Sequence, residues 1–281
     1  MRSFRAFVLV IFSICAFWVI KFFFKFPSAD IGIIGVILTV ASVLFGFLAG
    51  FFISELWTRY TNIRELQGKR LSEGLNMIRY ASYFYNNKNF EKEFKLLVEK
   101  SAVADEVINW DEGHLEIKYY QDIETSFSRI QVKTKKDQVY FDNLLDSYNE
   151  IVETIVRMDI LYKERLFPTE WFMLVTLSLI ITFSILFLDT SHFFYKVVVL
   201  VFPAIILLAM SVIYDLNTLV WSRGLVTLEP IQKSFDALGV KRYYIRKDEK
   251  YAPKGVEYRT EDDLVPELKK VYDDILSHRN S

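Results

Sequence analysis

The side chains with most to offer lie in one apolar segment, Ile31 to Ser54. Read as a helix, it carries two stripes at three- and four-residue spacing. Gly35, Thr39, Ser42, Gly46 and Gly50 form a small-residue face, and Val36, Val40, Val43, Phe47 and Phe51 a bulky one. The Gly46-x-x-x-Gly50 pair lets another helix approach closely inside a membrane. The bulky stripe has two readings. It packs against lipid or a neighbouring helix, or, in a symmetric ring, Val43, Phe47 and Phe51 stack as three apolar collars along an axis. Such collars gate ion passage by dewetting. Phe rings turned edge-inward present the positive part of the ring quadrupole to an anion. Composition alone leaves both readings open.

The rest of the chain offers little conventional chemistry. No Ser/His/Asp set, Gly-rich phosphate loop or paired-His motif is present, so the sequence predicts no enzyme and calls for no cofactor. The only cysteine, Cys15, excludes an intrachain disulfide and a Cys-based zinc site. His114, His192 and His278 are too scattered for a metal cluster. With Lys+Arg at 34 and Asp+Glu at 35, the net charge of −1 excludes bulk nucleic-acid binding.

The elements that must position these residues are membrane spans. The chain has 281 residues, is 52% apolar with 25 Phe, and is still 25% charged, so its apolar residues must be segregated. Four runs are long enough to cross a bilayer: 4–24, 31–53, 169–188 and 193–214. The first is too long for a signal-peptide core, and no small-residue cleavage site follows it. The fold expected is therefore an all-α integral membrane protein: four transmembrane helices, a helical cytoplasmic domain at 54–168, and a cytoplasmic helical tail at 215–281.

Basic residues orient the spans. One side collects Arg2, Arg5, Arg59, Arg64, Lys69, Arg70, Arg157, Lys163, Arg165, Arg223 and Lys233; the other has Lys21, Lys25 and Lys196. Both termini are expected inside, with the turns Lys25–Asp30 and Asp189–His192 outside. No Pro or capping signal lies between Ile53 and Leu66, so the second span should run on unbroken as a helix. Leu56, Tyr60, Ile63, Leu66, Leu71, Leu75 and Ile78 continue its periodicity. Pro168 should open the third span and Pro203 kink the fourth. Asn86–Asn89 and Asn109–Gly113 read as turns. Glu55 and Arg59 have the spacing of a local ion pair. Trp57, Trp171 and Tyr214 suit membrane interfaces. Thr260-Glu261-Asp262-Asp263 reads as the capped start of a last helix.

The segment from Phe47 through Gly50-Phe51 to Arg59-Tyr60, followed by Arg64-Glu-Leu-Gln-Gly68, resembles the bestrophin family. The matching positions are Val43, Phe47, Gly50, Phe51, Arg59, Tyr60, Arg64 and Gly68. Val43 replaces the family's usual Ile, Thr61 stands where a second aromatic is usual, and the acid preceding the later Arg is missing. Pro168, the Asp215-Leu216-Asn217 motif and the Gly224-to-Pro230 segment resemble the bacterial bestrophin-like branch, a domain of unknown function. The resemblance implies a homo-oligomeric ring, a pentamer, in the lipid of a bacterial inner membrane. It implies an ion channel passing chloride or a similar small anion through a neck of Val43, Phe47 and Phe51. The acidic calcium clasp of animal members has no counterpart after Asp215, so no calcium gating and no bound metal are expected. Two other classes share the four-span plan: a stator-like or biopolymer-transport-like energiser subunit, and a non-conducting membrane scaffold whose helical domain binds a protein.

Overall fold

The computed structural model describes residues 31–84, 88–107, 118–187, 193–219 and 229–279. The expected first span at 4–24, the Lys25–Asp30, Asn109–Gly113 and Asp189–His192 turns, Asn86 and Asn87 of the Asn86–Asn89 turn, and Gly224 lie outside these residues. The described chain is almost wholly helical. Its backbone divides into two units, 1–60 with 165–220 and 61–164 with 221–281. Helix α1, Ile31–Ser82, is one continuous helix of 52 residues that belongs to both.

One continuous buried stripe runs along α1: Ile34, Ala41, Phe45, Ala49, Phe52, Leu56, Arg59, Ile63, Gln67, Arg70, Met77 and Ala81. Steps of three, four and seven keep it on a single face. Beyond Leu56 this is not the face the apolar pattern alone predicts. Leu75 is exposed, Tyr60 and Leu66 are half-buried, and the polar Arg59, Gln67 and Arg70 are buried instead.

In the first unit, α1 packs with α5 (Pro168–Leu186) and α6 (Phe193–Asn217). Leu174, Ile181 and Ile185 of α5 and Ile206, Ile213 and Leu216 of α6 close the cluster. Pro168 occupies the first turn of α5, where its missing N–H costs nothing. Glu170 turns back so that its Oε2 accepts from the Phe167 N–H at 2.7 Å. Helix α6 continues past Pro203. An 18-residue window in α1 reaches a mean hydropathy of 2.5, and one in the helical stretch ending at Leu186 reaches 1.8. Both are long and apolar enough to cross a membrane, whereas the apolar part described for α6, Val201–Asn217, is shorter. Between helices in lipid, close packing rather than escape from water holds the contact. The small Ala41 and Ala49 on the packed face permit it.

The second unit holds the remaining turns of α1 with α2 (Lys88–Val107), α3 (Lys118–Phe127), α4 (Lys135–Lys163), α7 (Glu229–Leu238) and α8 (Pro266–Arg279). Its core is the ordinary water-driven kind. Phe94, Val103, Leu144, Met158, Phe235 and Leu268 are fully buried, each side chain stabilising the fold by roughly 1.5–3 kcal/mol. Thr134 caps α4: its hydroxyl accepts from the Asp137 N–H, and Asp137 accepts from the Thr134 N–H. A minimal parallel bridge joins β1 (Arg242–Tyr243) to β2 (Tyr258–Arg259). The buried Gln232 amide donates to the Tyr243 carbonyl at 2.6 Å and accepts from its N–H at 3.1 Å, standing in for a missing strand.

The expected cap at Thr260 forms, but it does not open the last helix. Asp263 accepts from the Thr260 N–H and closes a single 3₁₀ turn, Glu261–Asp263. Leu264 and Val265 then lead into α8 at Pro266. The pyrrolidine ring keeps the preceding residue out of the helical region, so the helix restarts after it.

Candidate pore face and helix tie

Val43, Phe47 and Phe51 share one face of α1 and are 51%, 76% and 62% exposed within the chain. Val36 and Val40 on the same stripe are exposed too. At about 100° per residue this stripe lies on the opposite side of α1 from Ile34, Ala41, Phe45, Ala49 and Phe52. The inner face is therefore committed to α5 and α6, and among the described residues the outer apolar face has no partner helix. The Phe51 ring meets Phe52 edge-on, with centroids 5.7 Å apart. Gly46 and Gly50 border the outer face. Both are exposed, and a Cβ built on either would meet no atom within 4 Å. Among the described helices the packing positions are thus the two alanines, and the glycines are left open to another helix. Thr39 returns its hydroxyl to the Gly35 carbonyl at 2.8 Å, which keeps the small-residue face free of unsatisfied polar groups at that point.

Two turns beyond Phe51, Arg59 meets the last residue of the Asp215-Leu216-Asn217 motif. Arg59 is only 6% exposed, and its Nη1 donates to the Asn217 backbone carbonyl at 3.2 Å. That carbonyl is at the C-terminus of α6, where carbonyls lack intrahelical partners and the helix dipole favours a cation. Leu219, in the left-handed conformation at φ 53°, ends the helix there. The Asn217 side chain in turn accepts from the Leu166 N–H at 2.8 Å, just ahead of α5. One arginine and one asparagine thereby tie α1, the entry to α5 and the end of α6. The Glu55–Arg59 ion pair suggested by their spacing does not form: Glu55 stays at the surface while Arg59 turns inward to Asn217.

Around this tie, Trp57 stacks on Tyr60 with centroids 5.3 Å apart, and Trp171 meets Tyr214 edge-on at 6.4 Å. Arg64 and Gly68 are exposed on α1 in the second unit and Asp215 is half-buried on α6, so none of them joins the tie. Pro230 sits in the first turn of α7. In the sequence Asn217 is only the third position of the Asp215-Leu216-Asn217 motif, with no role of its own to be read there.

The acids at 261–263 are engaged in structural contacts. Glu261 accepts from the Arg246 N–H, Asp262 pairs with Arg246 at 2.9 Å, and Asp263 caps Thr260. Hydrogen bonds from the Thr260 N–H and hydroxyl hold the Asp263 carboxyl below the usual carboxylate range. Among the described residues, no group of three His, Cys, Asp or Glu could hold a metal ion.

A family model for the Bestrophin-like domain matches residues 7–219, well over half of the chain, and the chain belongs to that family. With its long apolar helices, this makes it a membrane protein. The matched stretch contains the outer stripe of α1, Arg59 and the Asp215–Asn217 motif, and it ends before Gly224 and Pro230. No curated protein and no solved structure matches the chain.

Proposed function

We propose that the chain is one subunit of a homo-oligomeric ring, a pentamer, that passively conducts small anions such as chloride across a bacterial inner membrane. In this reading it spans the membrane four times, with both termini and residues 54–168 on the cytoplasmic side, and it is a conduit rather than an enzyme. Val43, Phe47 and Phe51 of each copy converge on the axis as an apolar neck. One observation carries the reading: in a bestrophin-like chain, the outer face of α1 is bulky, apolar and without a partner among the described residues, opposite a face already packed. Gly46 and Gly50 border it and leave room for an adjacent copy. A closed ring of Val and Phe offers a permeating ion no replacement for its hydration, so the neck is the barrier. Lipid would equally cover an apolar face, as it would cover Phe172 and Phe183 of α5. The experiment must therefore read conduction. Val43→Ala with Phe47→Ala and Phe51→Ala should widen the neck and raise chloride flux in liposomes, with the oligomer retained. Correctly assembled wild-type and triple-variant protein that both pass no chloride, sodium or potassium would refute conduction. Current reversing at the sodium potential would keep the pore and refute anion selectivity.

A further inference from the structure

Gln67 lies four turns beyond Phe51 on α1, on the buried stripe, and is 1% exposed. Neither its Nε2 nor its Oε1 has a hydrogen-bond partner. A carboxamide buried with its donor and its acceptor both unused is rare in a folded protein and points to an absent occupant. Gln67 lines a half-open cavity of about 50 Å³ within the second unit. Arg70 of α1, Ser101 of α2, Tyr120 of α3 and Ser234 of α7 contribute the other polar walls, and Met77 and Ile123 lie among the apolar ones. Gln67 and Arg70 are three residues apart and so share a face. Among the described residues of the lining, Arg70 is the charged one.

We propose that this cavity binds a compact monovalent anion, such as chloride, nitrate or a small carboxylate, together with a water. The Gln67 Nε2 donates to the anion, and its Oε1 accepts from the accompanying water. Arg70 keeps the contacts it makes itself and adds a positive charge to the same wall. The volume exceeds what a single water needs and is too small for a nucleotide or a lipid headgroup. The site is separate from the neck and does not depend on conduction through it.

The test uses the full chain in detergent micelles with chloride alone as the probe, read by the linewidth of the chloride NMR signal. Gluconate, too large for the cavity, holds the ionic strength constant. Wild type should give saturable broadening that nitrate displaces. Displacement by formate as well would extend the site to carboxylates, and failure of formate would restrict it to inorganic anions; either pattern upholds the proposal. Gln67→Met, close in volume and without the amide, should weaken the apparent affinity about tenfold or more. Gln67→Glu, nearly isosteric but negative, should abolish binding, and Phe51→Ala should leave it unchanged. If either Gln67 variant loses its helical content, the other decides. Broadening that never saturates, or that survives in a folded Gln67 variant, would overturn the proposal and leave the cavity to water.

Discussion

Arg59 and Asn217, 158 residues apart in sequence, meet at 3.2 Å through the Arg59 guanidinium and the Asn217 carbonyl. Because the Asn217 side chain also accepts from the Leu166 N–H, both groups of one residue serve as anchors. Asn217→Ala should leave the buried Leu166 N–H without a partner and destabilise the protein by about 1–3 kcal/mol. Arg59→Met should cost at least as much, because it strips the end of α6 of its cation as well. Thermal unfolding in detergent measures both. An unchanged midpoint for Asn217→Ala would show that the tie contributes nothing to stability.

Gly46→Leu separates folding from assembly. Among the described residues a Cβ at this position meets no atom within 4 Å, so helical content and the unfolding midpoint of the subunit should hold. Between copies it should block close approach, and the recovered oligomer should fall several-fold in size-exclusion chromatography. Full oligomer recovery would place this face against lipid.

Topology is open to chemical labelling. In a Cys15→Ser background, a cysteine replacing the exposed Glu153 should resist an impermeant external reagent in intact cells. One replacing Ser191 should react. Labelling of the Glu153 position from outside would reverse the orientation.

Tyr148 supplies a pH signature in the helical unit. Burial, reinforced by the negative charge and hydrogen bond of Glu124, pushes its phenol from 10.0 up to about 12. The folded state thus prefers the neutral phenol. Its contribution is complete below pH 10 and is lost between pH 10 and about 12. Tyr148→Phe should cost about 1 kcal/mol at neutral pH by removing the hydrogen bonds to the Tyr120 carbonyl and Glu124. It should also flatten the decline of stability above pH 10. Stability curves of equal slope in that window would show that Tyr148 titrates normally.

Much of this architecture is legible in the residues themselves. The absence of Pro and of capping residues announces the unbroken α1, and Pro168 marks the start of α5. The apolar periodicity also isolates Val43, Phe47 and Phe51 as one face. It goes astray past Leu56, because hydrophobic pattern cannot register a buried face made of Arg59, Gln67 and Arg70. Those side chains are buried for partners or cavities supplied by helices distant in sequence, which no local period encodes. The Thr134–Asp137 capping box was there to be read, since Thr followed three residues later by an acid is a start signal. At Thr260 the same signal misleads, because Pro266 decides where the helix begins.

The buried positions of α1 from Ile34 to Ala81 recur on average about every 3.6 residues per turn, the period of a straight α-helix. A strict seven-residue repeat would instead wind the helix left-handedly around its neighbours. Because that buried face is taken by helices of the same chain, the copies of α1 in the proposed ring would meet only through their outer stripes, side by side like barrel staves. Staves tilt individually without unwinding one another, so a few degrees of lean at each would change the bore at Phe47 and Phe51 while every subunit kept its own core.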